Sequence, residues 1–151
     1  MTPKEYALKL FDDKFSCSQS VLAAFADKCS ITDIQALKIG ACFGSGMRKG
    51  EVCGACTGAL MVLGLLYGQY DKDDLESREH GRRVCEEMME RFAHENGSYI
   101  CNDLLGCDIR TSEGVKYAHD NKLFTEFCPK MVASAVDILE EIIHEEEEKA
   151  L

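Results

Sequence analysis

Two cysteines in a glycine-studded apolar stretch are the residues best suited to chemistry in this chain. Cys53 and Cys56 form a C-x-x-C within residues 44–68, and Cys53 follows a glycine-rich loop at a predicted helix start. Partial positive charge at a helix start lowers the pKa of a thiol, and a second sulfur one turn away can pair with the first or share a metal. The spacing is compatible with redox chemistry, metal binding or plain packing, and does not choose among them.

Three further cysteines fall at predicted helix starts. Cys17 directly follows the capping residue Ser16, Cys101 lies in the first turn of a short helix, and Cys128 directly precedes Pro129 at an expected N-cap. A helix N-terminus carries roughly half a positive charge and unpaired N–H groups, which favour a thiolate over a thiol. We therefore expect these three, with Cys53, to be more than core filler.

The positions of the remaining cysteines give less indication of a chemical role. Cys29 and Cys42 lie at helix ends, and Cys85 lies in the middle of a helix. Free cysteine is often buried as a small hydrophobic residue, so these three are interpreted mainly as packing residues. Cys107 lies in a loop after Gly106, where it could pair or remain free.

Three glycines in the predicted cysteine-bearing helix need a reason, because glycine inside a helix costs about 1 kcal/mol relative to alanine. Close approach of another helix is the expected reason for Gly58 and Gly64, whereas Gly54 could let a second cysteine or a cofactor come near Cys53. The nearby cations, residues 48 and 49, are interpreted as solvated side chains or as groups that bind an anion or lower the thiol pKa.

Composition limits the function classes. The chain has 151 residues with 27 acidic and 17 basic side chains and a net charge of −10, which argues against a nucleic-acid surface. The apolar run 59–67 is too short to cross a bilayer, and the polar N-terminus does not resemble a signal peptide. We therefore expect a cytoplasmic protein without membrane insertion. Nine cysteines in a reducing compartment suggest catalysis, metal binding or burial rather than structural disulfides.

Helical periodicity and capping residues predict an all-α fold, a compact bundle of five to eight helices forming a single domain over residues 1–151. No segment alternates apolar and polar residues as a half-buried strand does, so no sheet is expected. A glycine-rich loop is expected at residues 44–50. The predicted helices cover approximately residues 3–12, 17–28, 32–43, 52–67, 74–94, 99–105, 113–119 and 129–147.

Four segments together resemble a known family. They are Cys17–Leu22 (CSQSVL), Gly50–Ala59 (GEVCGACTGA), Cys101–Gly106 (CNDLLG) and Cys128-Pro129. Their order and spacing resemble the family labelled C-GCAxxG-C-C, which is classed as redox-active on the basis of its cysteines. The central motif here runs CGAxxG, a departure from the lettering of the label.

The resemblance implies that the family's four cysteines fall on Cys17, Cys53, Cys101 and Cys128, with Cys56 at a variable position and therefore optional. It implies a role class rather than a substrate, and it implies no definite cofactor. Related domains occur beside haem and iron–sulfur modules, which keeps a cluster among the alternatives.

Three hypotheses stay open on this basis. The first is a thiol-based redox protein with an unidentified redox partner, in which Cys53 is the low-pKa thiolate and Cys17, Cys101 or Cys128 resolves or relays the disulfide. The second is an electron-transfer module in which the same four cysteines hold an iron–sulfur cluster or another metal. The third is a structural protein whose apolar 59–67 face is buried in a homodimer and whose cysteines are idle.

Overall fold

The computed structural model describes residues 1–151, whose regular structure is helical. It has nine helices, of which seven contain at least seven residues, and no strand. The predicted all-α class is confirmed. The expected number of five to eight helices agrees with the seven longer helices but not with the total of nine. The α-helices are α1 Pro3–Asp12, α2 Cys17–Ala24, α3 Asp33–Gly40, α4 Gly54–Tyr67, α5 Leu75–Asn96, α6 Cys101–Leu105, α7 Ser112–Asp120 and α8 Cys128–Lys149, and a π-helical turn, Leu123–Phe127, precedes α8.

The first three helices begin with the capping boxes that the sequence predicts. In each, the capping side chain accepts a hydrogen bond from a backbone N–H, and a glutamate or glutamine three residues later bonds back to the capping residue. The pairs are Thr2–Glu5, Ser16–Gln19 and Thr32–Gln35. Helix α2 is shorter than predicted because the chain turns after Ala24, and Ser30 adopts a left-handed φ of 59°.

One hydrophobic core of 25 buried residues joins α1, α2, α3, α4, α5 and α8. Val62 and Leu63 of α4 lie inside this core, while Leu65 is 46% exposed. The apolar stretch that suggested a homodimer is therefore largely occupied by the chain's own packing. None of the helices combines the length and the apolar character needed to cross a bilayer.

Helices α2 and α4 approach each other closely at a glycine. A Cβ on Gly58 would lie 2.8 Å from the carbonyl oxygen of Ser18 and 3.2 Å from its Cα. Ser18 is fully buried, and its hydroxyl donates a 2.7 Å hydrogen bond to the carbonyl of Gly40 at the end of α3. The predicted close approach is thus confirmed for Gly58. It is wrong for Gly64, around which a Cβ would meet no atom within 4 Å.

The two glycines give opposite predictions for alanine substitution. Gly58→Ala should lower the free energy of unfolding by about 1–3 kcal/mol, because the new methyl group overlaps the α2 backbone. Gly64→Ala should raise it by about 0.5–1 kcal/mol, because alanine favours the helix and the space is open. Urea unfolding of both variants beside the parent measures this, and equal effects of the two substitutions would contradict the close approach.

Candidate functional site

A single antiparallel β-bridge, between Val52 and Ile100, joins two of the cysteine-bearing helix starts. The backbone hydrogen bonds that flank it are donated by the N–H groups of Cys53, at 2.7 Å, and Cys101, at 2.6 Å. In this pattern Cys53 and Cys101 lie on the same face of the bridge as diagonal neighbours. Residues so placed have Cα atoms roughly 7–8 Å apart. The bridge explains why α4 starts at Gly54 rather than at the predicted Val52, since the preceding residues are extended.

Cys17, at the start of α2, lies against the start of α4. Its sulfur is close enough to Cys53 for a thiol–thiolate hydrogen bond, and it occupies the space where a Cβ on Gly54 would be. The backbone of Phe43 and Gly44 closes the same space, at 3.1 and 3.2 Å from that Cβ position. Gly54 therefore has the role that the sequence indicated, which is to let a second cysteine approach Cys53.

The two sulfurs of this pair have opposite pKa shifts. The hydrogen bond from Cys53 lowers the pKa of Cys17 to about 6, against the effect of burial, and the backbone N–H groups of Ser45, Ser18 and Cys17 itself lower it further. The hydrogen bond to Cys17, burial and the negative charge of Cys17 raise the pKa of Cys53 well above its usual value. These opposite directions favour Cys17 as the thiolate and Cys53 as the thiol that donates to it.

This assignment corrects the expectation that Cys53 is the low-pKa thiolate. Cys17 is partly exposed and receives N–H groups from two chain segments, whereas Cys53 is only 7% exposed. Cys53 does lie at the N-cap of α4, near the N–H groups of Ala55 and Cys56, which act to lower its pKa. These N–H groups lower the pKa of Cys53 by less than burial and the neighbouring Cys17 thiolate raise it.

The glycine-rich loop supplies one of these N–H groups through an unusual backbone turn. Four consecutive residues, Ser45, Gly46, Met47 and Arg48, have left-handed φ values of 55°, 60°, 56° and 60°. A left-handed conformation costs roughly 1–2 kcal/mol for each non-glycine residue. Such strain is typical of functional sites, and here the turn starts at the residue whose N–H faces the Cys17 sulfur. Arg48 and Lys49 are exposed, as expected for solvated cations.

Cys101 and Cys128 lie near the pair but remain thiols. Burial, followed by the charge of Cys17, raises the pKa of each to about 12. Cys101 is 8% exposed and forms a small second core with Leu105 and Ile109, against which Cys128 packs. All four cysteines thus stand at helix starts, as predicted. Cys128 is the first helical residue rather than the N-cap, because the π-helical turn runs directly into α8.

Cys56 does not face the pair. It is fully buried, and its thiol donates to the sulfur of Met89 on α5 at 3.4 Å. Burial, followed by the charge of Cys85, raises its pKa to about 12. The structure therefore brings Cys17, and not Cys56, to Cys53.

The other cysteines lie apart. Cys29 is half-buried, with its pKa raised by burial to about 11, Cys42 and Cys85 are exposed, and Cys107 is partly exposed. All nine cysteines are free thiols or thiolates. No three histidine, cysteine or acidic side chains are grouped so that they could hold a metal ion.

Two residues that position the site carry no clear signal in the sequence. Ser45 contributes only a backbone N–H, which no side-chain pattern reveals. Asn102 fills the space over Gly50, accepts the N–H of Ile109 at 3.0 Å and donates to Asp108 at 3.0 Å, so it holds the segment after Cys101 in place. The only signal for it was its place beside Cys101.

Comparisons with known proteins give one match. A family model described as "Putative redox-active protein (C_GCAxxG_C_C)" matches residues 15–142. No curated protein and no solved structure matches the chain. The matched region contains all four helix-start cysteines and the left-handed turn.

The pKa of about 6 predicts selective labelling of Cys17. In the reduced protein, carboxymethylation of Cys17 by iodoacetate, followed by peptide mass mapping, should rise with pH and inflect near pH 6, because the thiolate is the nucleophile. Cys53→Ala should move the inflection to higher pH, since the largest stabilising hydrogen bond is lost. Cys53→Ser is the matched control, because its hydroxyl can still donate, and it should move the inflection less. Faster labelling of Cys53 than of Cys17 would contradict the assignment.

Proposed function

The chain belongs to the family described as "Putative redox-active protein (C_GCAxxG_C_C)", and we propose that it exchanges electrons with disulfide substrates through Cys17 and Cys53. The observation that carries the proposal is the approach of the Cys17 sulfur to the start of α4, where it occupies the space over Gly54 beside Cys53. It combines a nucleophile that is charged at neutral pH with a second thiol within reach. These are the two requirements for dithiol–disulfide exchange.

In the first step, the Cys17 thiolate attacks one sulfur of the substrate disulfide. A mixed disulfide forms between Cys17 and the substrate, and the other substrate sulfur leaves as a thiolate that takes up a proton. In the second step, Cys53 loses its proton and attacks the sulfur of Cys17. The Cys17–Cys53 disulfide forms and the second substrate thiol is released, so two electrons and the proton of Cys53 pass from the protein to the substrate, and the second proton comes from solvent.

The closeness of the two sulfurs also determines when Cys53 can lose its proton and attack. While Cys17 is a thiolate, its hydrogen bond and its charge keep Cys53 protonated. When Cys17 is consumed in the mixed disulfide, both influences end. The N–H groups of Ala55 and Cys56 then act on Cys53 without that opposition, so its thiolate becomes accessible when it is needed.

Cys101 and Cys128 are proposed as relay thiols. The charge of Cys17 acts on both, so they lie in the same electrostatic environment. Their raised pKa values make them slow nucleophiles at neutral pH, because only the thiolate attacks a disulfide. Their place is therefore after the first pair: one of them would lose its proton and attack the Cys17–Cys53 disulfide, and the other would resolve the mixed disulfide, so that a Cys101–Cys128 disulfide forms and the pair is reduced again.

The alternatives have less support. An iron–sulfur cluster held by Cys17, Cys53, Cys101 and Cys128 needs three or four sulfurs around one point, and no such group of donors is present. A purely structural protein would not need the strained turn at Ser45–Arg48 or the contact of Cys17 with Gly54. The thiol hypothesis accounts for both features.

Trapping tests the two roles separately. With oxidised glutathione, Cys53→Ser should accumulate a mixed disulfide on Cys17, visible by mass spectrometry, because the resolving sulfur is missing. Cys17→Ser should form no mixed disulfide at this site, because the remaining Cys53 is buried.

Cys56→Ser and Cys42→Ser are the matched controls, and both should form the Cys17–Cys53 disulfide as the parent does. Accumulation of a mixed disulfide in Cys56→Ser but not in Cys53→Ser would show that the C-x-x-C is the redox unit instead.

A further inference from the structure

A second group of sulfur atoms lies between α4 and α5. Cys56 is fully buried in the core, and its sulfur is 3.4 Å from the sulfur of Met89. The side chains of Cys56 and Met89 are not part of the Cys17–Cys53 pair, although the backbone N–H of Cys56 lies near the Cys53 sulfur. Two sulfur atoms that face each other in a partly buried place supply two of the soft ligands of a metal site.

Cys85 lies on the same flank of α5 as Met89. The two residues are four positions apart and therefore neighbours on the helix surface. A methionine side chain on a helix leans toward the N-terminus, which directs Met89 toward the turn that carries Cys85. Ionisation of Cys85 would oppose ionisation of Cys56, which agrees with their neighbouring places on the two facing helices.

The register of the two helices supports this placement. α4 and α5 form an antiparallel pair, with the Cys56–Met89 contact near one end and the rings of Tyr67 and His80, 4.8 Å apart, at the other. Gly81, one turn before Cys85, faces α4, since a Cβ there would lie 3.7 Å from the Cα of Gly68. The flank of α5 that runs through residues 81, 85 and 89 therefore lies along α4.

We propose that Cys56, Cys85 and Met89 form a binding site for a soft monovalent metal ion, with Cu(I) as the preferred ion. Thiolate and thioether ligands select Cu(I) over the divalent ions that favour nitrogen and oxygen ligands. Cys85 is exposed and gives the ion a route from solvent to the buried sulfur of Cys56. Binding releases the protons of both thiols, so the affinity should rise with pH.

The site uses side chains that take no part in the proposed dithiol exchange. It shares no residue with the Cys17–Cys53 pair, so it can be tested in full-length protein in which Cys17→Ser removes the thiolate that would compete for copper. Less than one equivalent of Cu(I) is added anaerobically to the reduced protein, so that the tightest site fills first. Competition with bicinchoninate measures the affinity, and X-ray absorption at the copper edge measures the ligand atoms.

Met89→Leu and Cys85→Ser should each weaken Cu(I) binding by at least about ten-fold, since even loss of a group that only supports a metal ligand has an effect of this size. Leucine replaces methionine with little change of volume, so the packing of α5 is kept. Met61→Leu, at a partly buried methionine elsewhere in the core, is the matched control and should bind as tightly as the parent. Sulfur alone should surround the metal.

Two results would overturn the proposal. The first is unchanged affinity in both Met89→Leu and Cys85→Ser, which would place the tightest copper site on other cysteines. The second is a copper environment with nitrogen or oxygen ligands in the Cys17→Ser protein. Circular dichroism of each variant confirms that a lost site does not reflect a lost fold.

Discussion

The close approach of two helix starts is the constraint on which the rest of the site depends. The start of α2 packs on the start of α4, and this is compatible only with small residues on α4. Because Gly58 has no side chain, the backbone of Ser18 can pack against it. One turn earlier, the sulfur of Cys17 packs against Gly54 for the same reason. The buried hydroxyl of Ser18 ties the same point to the end of α3. A side chain at Gly54 would move Cys17 away from Cys53 and end the interaction between them.

The electrostatics of the site follow from that contact. Two buried sulfurs that share a hydrogen bond cannot both ionise, so one becomes the thiolate and the other its donor. The strained turn at residues 45–48 and the first N–H groups of α2 both face Cys17, which decides the direction. The strained turn and the glycine positions thus stabilise one charged sulfur, that of Cys17, while Cys101 and Cys128 remain neutral beside it.

The sequence predicted the helices and the helix-start cysteines because capping boxes, glycines and proline are local signals. It also indicated why Gly54 is glycine. It did not predict that Cys17 rather than Cys53 is ionised, since this depends on backbone N–H groups from two separate segments, the glycine-rich loop and the start of α2. The left-handed turn was visible only as a loop, and the orientation of Cys56 toward Met89 required the register of α4 against α5. Spacing along one helix places two cysteines on similar faces, but the neighbouring helices decide what each one contacts.

Mapping of the disulfide that forms on mild oxidation tests the account most directly. The reduced protein is oxidised with oxidised glutathione, the remaining thiols are alkylated at low pH, and the cross-linked peptides are identified by mass spectrometry. The first disulfide to form should join Cys17 and Cys53. A first disulfide between Cys53 and Cys56, or oxidation that leaves Cys17 free, would contradict it.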